Sequence, residues 1–166
     1  MDSPKTNKII DENAARSKAA HYCAYQECSQ QEVRDKLYEW GQYPNVVENI
    51  ISGLITGNFL NEERFSKAYA IGKFRQKGWG KIKIKQGLKF KKVPDVLIKK
   101  ALLAIPGDEY LEMLERLLIK KAALLNEKDT YKRNYKLQQY AIGRGYESDM
   151  VTDVLRTSGL HQFQKK

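Results

Sequence analysis

A helical pattern that occurs three times constrains this chain more than any other feature. Val33, Leu37, Gly41, Val47, Ile50 and Ile51 put apolar side chains at helical spacing on both sides of a glycine. The pattern returns 51 positions on as Ile84, Leu88, Lys92, Ile98, Ala101 and Leu102. It returns again 104 positions from the start as Leu137, Ala141, Gly145, Val151, Val154 and Leu155. All five apolar positions stay apolar, and the turn position reads Gly, Lys, Gly. With 42% of residues apolar, ten such matches would be rare by chance. A period of this kind marks tandem units, each about 50 residues long. A unit of that size is marginal alone, so neighbours must share surface. The expected architecture is all-α: three tandem three-helix-bundle repeats in an elongated, curved molecule. The boundaries read 1–10 as a loose tail, 11–59, 60–106 and 107–160 as the repeats, and 161–166 as a second tail.

The local signals agree with nine helices. Between the four prolines and eleven glycines the apolar period is near 3.6 rather than 2. The nearest thing to a strand, Lys81 to Lys85, runs on into the helical spacing of Ile84 and Leu88. Ser29-Gln30-Gln31-Glu32 reads as a capping box opening the second helix. Asn61 caps the fourth, where Glu62 and Glu63 suit the positive end. Phe65, Ala68, Tyr69 and Gly72 form the expected inner face of that helix, with Ile71 and Phe74 on its other side. The fifth helix puts Ile84 and Leu88 inward and Ile82 and Phe90 on the far side, a pattern that asks for two packing neighbours. The seventh carries a stripe of Leu111, Leu114, Leu118 and Ala122.

Several function classes drop out. No apolar run approaches the roughly 20 residues that span a bilayer, and the first residues lack a secretory apolar core, so a cytoplasmic protein without membrane contact is expected. Cys23 and Cys28 lie five apart in a helical stretch. Five residues turn a helix about 140° beyond a full turn, so diverging, reduced thiols are expected. His21 and His161 stand apart from any zinc-ligand spacing, so neither a metal nor another cofactor is expected. No nucleophile elbow, zinc-protease helix or phosphate-cradling glycine loop occurs. Glu62 and Glu63 are adjacent and diverge by about 100° on a helix. The chain does not read as an enzyme.

The charge is uneven. The net charge is +10, and the window from Lys73 to Lys100 holds all of that excess, with Asp95 as its one acid. Its cations are Lys73, Arg75, Lys77, Lys81, Lys83, Lys85, Lys89, Lys91, Lys92, Lys99 and Lys100. Such a local field attracts a polyanion, most often nucleic acid, or an acidic protein surface. With Ile84 and Leu88 inward, Lys85 and Lys89 share one flank of the fifth helix and Lys83 takes the other. Lysine favours backbone contact, single- or double-stranded, without sequence preference, because it lacks the bidentate geometry that reads base edges. Trp79 has two roles open to it, stacking on a base or wedging the fourth helix against the fifth. Three readings remain open on the residues alone: a nucleic-acid-associated regulator, a helix-turn-helix transcription factor built on one unit, and a helical-repeat scaffold for an acidic protein.

One family resemblance bears on that choice. Phe59 to Phe65, Ala68-Tyr69, Lys73-Phe74-Arg75, Trp79-Gly80, Lys83-Ile84 and Leu88 resemble the central signature of the RecX regulatory proteins. Ser29-x-x-Glu32-Val33-x-x-Lys36-Leu37 resembles that family's first-unit signature, and the likeness covers about residues 15–158. It implies three tandem three-helix repeats. It also implies a modulator of the RecA recombinase in homologous recombination and the SOS response, and a monomer is expected. Such proteins bind in the groove of the RecA–DNA filament, suppress its ATPase and strand exchange, and bind DNA. Arg64, Phe65, Tyr69, Trp79, Gly80, Ile84 and Leu88 carry over as structural signature positions. The chain departs from the pattern at two points: Lys91-Lys92-Val93 lacks the usual turn glycine, and Gly87 sits inside the fifth helix.

Overall fold

The computed structural model describes residues 9–162, which form nine α-helices and no strand. They are α1 Glu12–Tyr25, α2 Gln30–Glu39, α3 Pro44–Thr56, α4 Glu62–Lys77, α5 Lys81–Phe90, α6 Asp95–Leu103, α7 Gly107–Leu124, α8 Thr130–Gly143 and α9 Ser148–Ser158. The tail expected over residues 1–10 lies largely outside the described residues. Ile10 is docked, its carbonyl accepting from Gln42 Nε2 at 2.6 Å. At the other end Leu160 packs on the core and its carbonyl accepts from Arg133, so the second tail begins no earlier than His161.

The tandem three-helix repeat is real, and it extends to individual hydrogen bonds. The turn position is left-handed in all three units: Gly41 at φ +83, Lys92 at +58 and Gly145 at +98. Its N–H donates to Tyr38, Lys89 and Ile142 carbonyls respectively, at 2.9 Å each time. The next N–H reaches back to Leu37, Leu88 or Ala141 at 3.1, 3.1 and 3.2 Å. These bonds satisfy carbonyls at the end of the middle helix, and the left-handed residue makes them possible. Lys92 therefore does a glycine's task with a Cβ, which is where the family's turn glycine is missing.

The units are not joined alike. Residues 15–60 enclose one apolar core around Val33, Leu37, Ile50 and Leu54. The second and third units share a single core from Phe65 to Leu155. Tyr110 and Tyr146 bridge it: Phe74 lies 5.8 Å from Tyr110, and Tyr110 5.1 Å from Tyr146, centroid to centroid. Burial pushes both phenols well above the usual tyrosine range.

That bridging corrects two expected faces. The buried stripe of α4 is Phe65, Ser66, Ala70 and Phe74, while Ala68 is exposed and Tyr69 half-buried. Phe74 turns inward because the third unit lies on that side. Ser66 is tolerated in the core because its hydroxyl donates to Glu62 O at 2.7 Å. On α7 the buried position is Tyr110, and Leu111 is 40% exposed, for the same reason. The Ser29–Glu32 capping box forms as read, with both bonds at 3.1 Å.

Candidate functional site

The basic helix α5 is held at both ends by the neighbouring units. A helix leaves its first N–H groups without internal partners. Here the third unit supplies them: Gly80 N–H donates to Arg144 O at 2.8 Å, Lys81 N–H to the Tyr110 hydroxyl at 3.0 Å and Ile82 N–H to Gly145 O at 3.0 Å. The Tyr110 hydroxyl passes on to Glu147 at 2.8 Å, and Tyr146 donates to Gly78 O at 3.1 Å. Beyond the other end of the helix, the Lys91 ammonium pairs with Glu32 of the first unit. Arg64 makes a second ionic link to that unit through Glu27.

The eleven cations fall into distinct groups. Arg75 pairs with Glu109 of the third unit at 3.2 Å, and Lys100 lies 3.8 Å from Glu63. With Lys91, these are tied to acids. Lys73 and Lys83 sit over the Trp79 ring at 4.9 and 4.7 Å from its centroid, and Lys81 over Tyr110 at 4.8 Å. Trp79 is half-buried and packs against the shared core, with Lys73 of α4 and Lys83 of α5 over its ring. Lys77, Lys85, Lys89, Lys92 and Lys99 are exposed and have no ion pair among the described residues.

The outer arc of α5 is Ile82, Lys85, Gln86, Lys89 and Phe90, all exposed. Ile82 and Phe90 had been expected to pack on a second neighbour. Phe90 is instead 88% exposed and Ile82 45%. An exposed phenylalanine next to Lys89, which pairs with no acid among the described residues, marks a surface suited to contact outside the chain. Apolar content on the polar side of the helix was the signal for it in the sequence. No group of three or more potential metal ligands occurs among the described residues, and none of their helices is long and apolar enough to cross a membrane.

The three units match known proteins. Family models for the first, second and third three-helix domains of RecX match residues 15–54, 61–102 and 108–155. A regulatory protein RecX of Haemophilus influenzae (strain PittGG) is 32% identical over 133 residues, covering 80% of this chain and 86% of its own. The chain belongs to the RecX family. A regulatory protein RecX of Clostridium acetobutylicum is 30% identical over 163 residues, spanning 94% of this chain and 75% of that one. The crystal structure of RecX from Lactobacillus salivarius superposes with a TM-score of 0.82 at 21% identity, covering 90% of this chain and 97% of that one, which bears on the fold. Within the RecX pattern, the missing turn glycine is met by the left-handed Lys92. The unusual Gly87 is met by Tyr69, whose hydroxyl occupies the place of a Cβ.

Proposed function

We propose that this RecX-family regulator acts on the RecA recombinase, binding in the groove of the RecA–DNA filament and suppressing ATP hydrolysis and strand exchange. The outer arc of α5 and its continuation on α6 make the contact. The observation that carries this reading is the exposed Phe90 and Ile82 among Lys85, Lys89, Lys92 and Lys99, which pair with no acid among the described residues. A filament offers both partners such a face needs: phosphates for the lysines and protein surface for the apolar side chains. Lysine contacts to phosphate are sequence-blind and weaken steeply with salt. Lys83 and Lys91 support the fold, so the informative reversal is Lys85→Glu, Lys89→Glu and Lys99→Glu together.

The test is DNA-dependent ATP hydrolysis by RecA filaments titrated with this protein. The parent chain is expected to inhibit, and the folded triple variant to need at least tenfold more protein. Equal inhibition by both would remove this face from the contact. No effect of the parent chain at any concentration would overturn the function.

A further inference from the structure

The third unit carries a second basic face that its neutral total charge conceals. Residues 107–160 hold nine bases and nine acids. The window from Lys120 to Arg144 holds seven of those bases and two of the acids, a net charge of +5. The remaining acids gather on the first half of α7 and around α9.

α8 lies inside that window and turns aromatic rings to solvent. Arg133, Leu137 and Ala141 face inward. Tyr131 is 81% exposed and Tyr135 56%, and Ile142 is exposed further along the same stripe. Four residues turn a helix about 40° past a full turn and rise about 6 Å, so the two tyrosines stand one above the other. A row of cations runs beside them. Lys128 and Lys132 are exposed and form no ion pair among the described residues. Lys136 pairs with Glu127 at 2.9 Å. One turn further, Lys121 and Arg144 lie over the Tyr140 ring, 5.2 and 5.9 Å from its centroid. Arg144 also donates to Lys77 O, so the row meets the second unit there.

We propose that this face of α8 binds a single strand of nucleic acid, its bases stacked on Tyr131 and Tyr135 and its phosphates along the lysines. The face is separate from the α5 arc and stands whether or not that arc meets a filament.

The spacing of the rings suits a base. Successive bases lie about 3.4 Å apart, so a rise of about 6 Å leaves room for one base between two rings. Every base has a π-face, so such a platform takes any sequence, and the positive row beside it tracks the backbone. Bases in a duplex stay paired and stacked, so the rings reach them only in a single strand. Gln139 and Lys132 stand beside the rings, which makes the face too polar to enter a bilayer. The repeat adds an independent sign. Tyr135 occupies in α8 the position that Ile82 has in α5, and both are exposed beside lysines. The middle helices of two successive units thus turn an apolar side chain and cations outward at one place in the pattern.

The full chain is titrated at low salt into a fluorescent oligothymidylate of about 12 nucleotides, within the usual range of single-strand sites. An abasic strand with the same number of phosphates and a blunt duplex of the same length serve as controls. Because α5 also attracts phosphate, each titration is repeated in the Lys85→Glu, Lys89→Glu, Lys99→Glu chain. That chain is expected to keep binding oligothymidylate, and Tyr131→Ala with Tyr135→Ala in it should weaken binding at least tenfold. The same pair should leave the abasic strand and the duplex unaffected. Tyr131→Phe with Tyr135→Phe keeps the rings and should keep the affinity. Lys128→Glu with Lys132→Glu should weaken oligothymidylate and the abasic strand alike. Circular dichroism confirms that each variant is folded. A reversed chain that binds no oligothymidylate would overturn the site. So would equal affinity for oligothymidylate and the abasic strand, or an alanine pair that binds as tightly as its parent.

Discussion

Gly80 and Gly145 meet backbone to backbone, one at the start of α5 and the other in the turn after α8. A Cβ on Gly80 would fall on the Gly145 carbonyl carbon, well inside the 3.0 Å that real Cβ atoms respect. A Cβ on Gly145 would lie 2.7 Å from Lys83 N. This close approach lets the Arg144 and Gly145 carbonyls of the third unit accept from the Gly80 and Ile82 N–H groups at the start of α5. It couples the repeat to the basic helix, because the direction of Lys85 and Lys89 depends on it.

Gly80→Ala should therefore be costly. Overpacking of this kind costs about 1–3 kcal/mol, and here flexible side chains are not the obstacle. Gly72 lies in α4 with nothing within 4 Å of its Cβ position. Gly72→Ala should stabilise by about 0.5–1 kcal/mol through helix propensity. Chemical denaturation of both variants against the parent checks the pair. A Gly80→Ala protein as stable as the parent would show that the crossing relaxes freely.

Lys92 and Gly87 are the two departures from the family's pattern, and each has its own local cause. Lys92 holds φ +58 in the turn where the other units use glycine. Lys92→Gly should stabilise the fold by about 0.5–1 kcal/mol, the relief of left-handed strain less the added freedom of the unfolded chain. Gly87 has the Tyr69 hydroxyl in place of a Cβ, with the ring carbon that bears it at 3.0 Å. Gly87→Ala should destabilise by about 1–3 kcal/mol. Tyr69→Phe beside it should recover part of that loss. A double-mutant cycle with no coupling between positions 69 and 87 would refute the contact.

Much of this is legible in the sequence. Val33, Leu37, Ile84, Leu88, Leu137 and Ala141 are all buried, because an apolar helical period needs only one partner surface to be read. What escaped depends on neighbours far along the chain. Phe74 is inward, and Ala70 and Tyr110 join it in the core, because the third unit, not the helix's own pattern, decides which side of α4 and α7 is inside. Nothing in the local pattern around Gly80 points to its partner Gly145, 65 positions away. The eleven cations read as one patch, yet Lys91, Arg75 and Lys100 are tied to acids of other helices. Periodicity carries local geometry; it carries no information about which distant acid a lysine will meet.

Glu32 performs two tasks with its two oxygens. Oε2 accepts from Ser29 N–H at 3.1 Å, closing the capping box, while Oε1 takes the Lys91 ammonium. Glu32→Gln keeps a capping acceptor and loses the charge pair. Its cost should be about 0.2–1 kcal/mol, since both partners are part-exposed, and should shrink with added salt. Glu32→Ala should cost about 1 kcal/mol more through the lost cap. Adding Lys91→Met to Glu32→Gln should cost little further. Denaturation midpoints at low and high ionic strength separate the two losses, and equal costs for Gln and Ala would place the whole effect in the ion pair.

Tyr110 and Tyr146 should make the second and third units sensitive to alkali. Burial raises both phenols above the ordinary value of 10.0, and the Tyr110 hydroxyl donates to Glu147, which resists its ionisation further. Between pH 10 and the folded-state values the native chain holds protons that the unfolded chain has released. Stability therefore falls as pH rises through that window, and it is fully present below pH 10. Tyr146→Phe removes one of these protons along with the bond to Gly78 O. It should cost about 1 kcal/mol at neutral pH and flatten the alkaline decline. Melting temperatures from pH 7 to 11, followed beside phenolate absorbance, test both halves. Two phenols titrating near 10 in the native chain would show that the Tyr110–Tyr146 bridge is open to water.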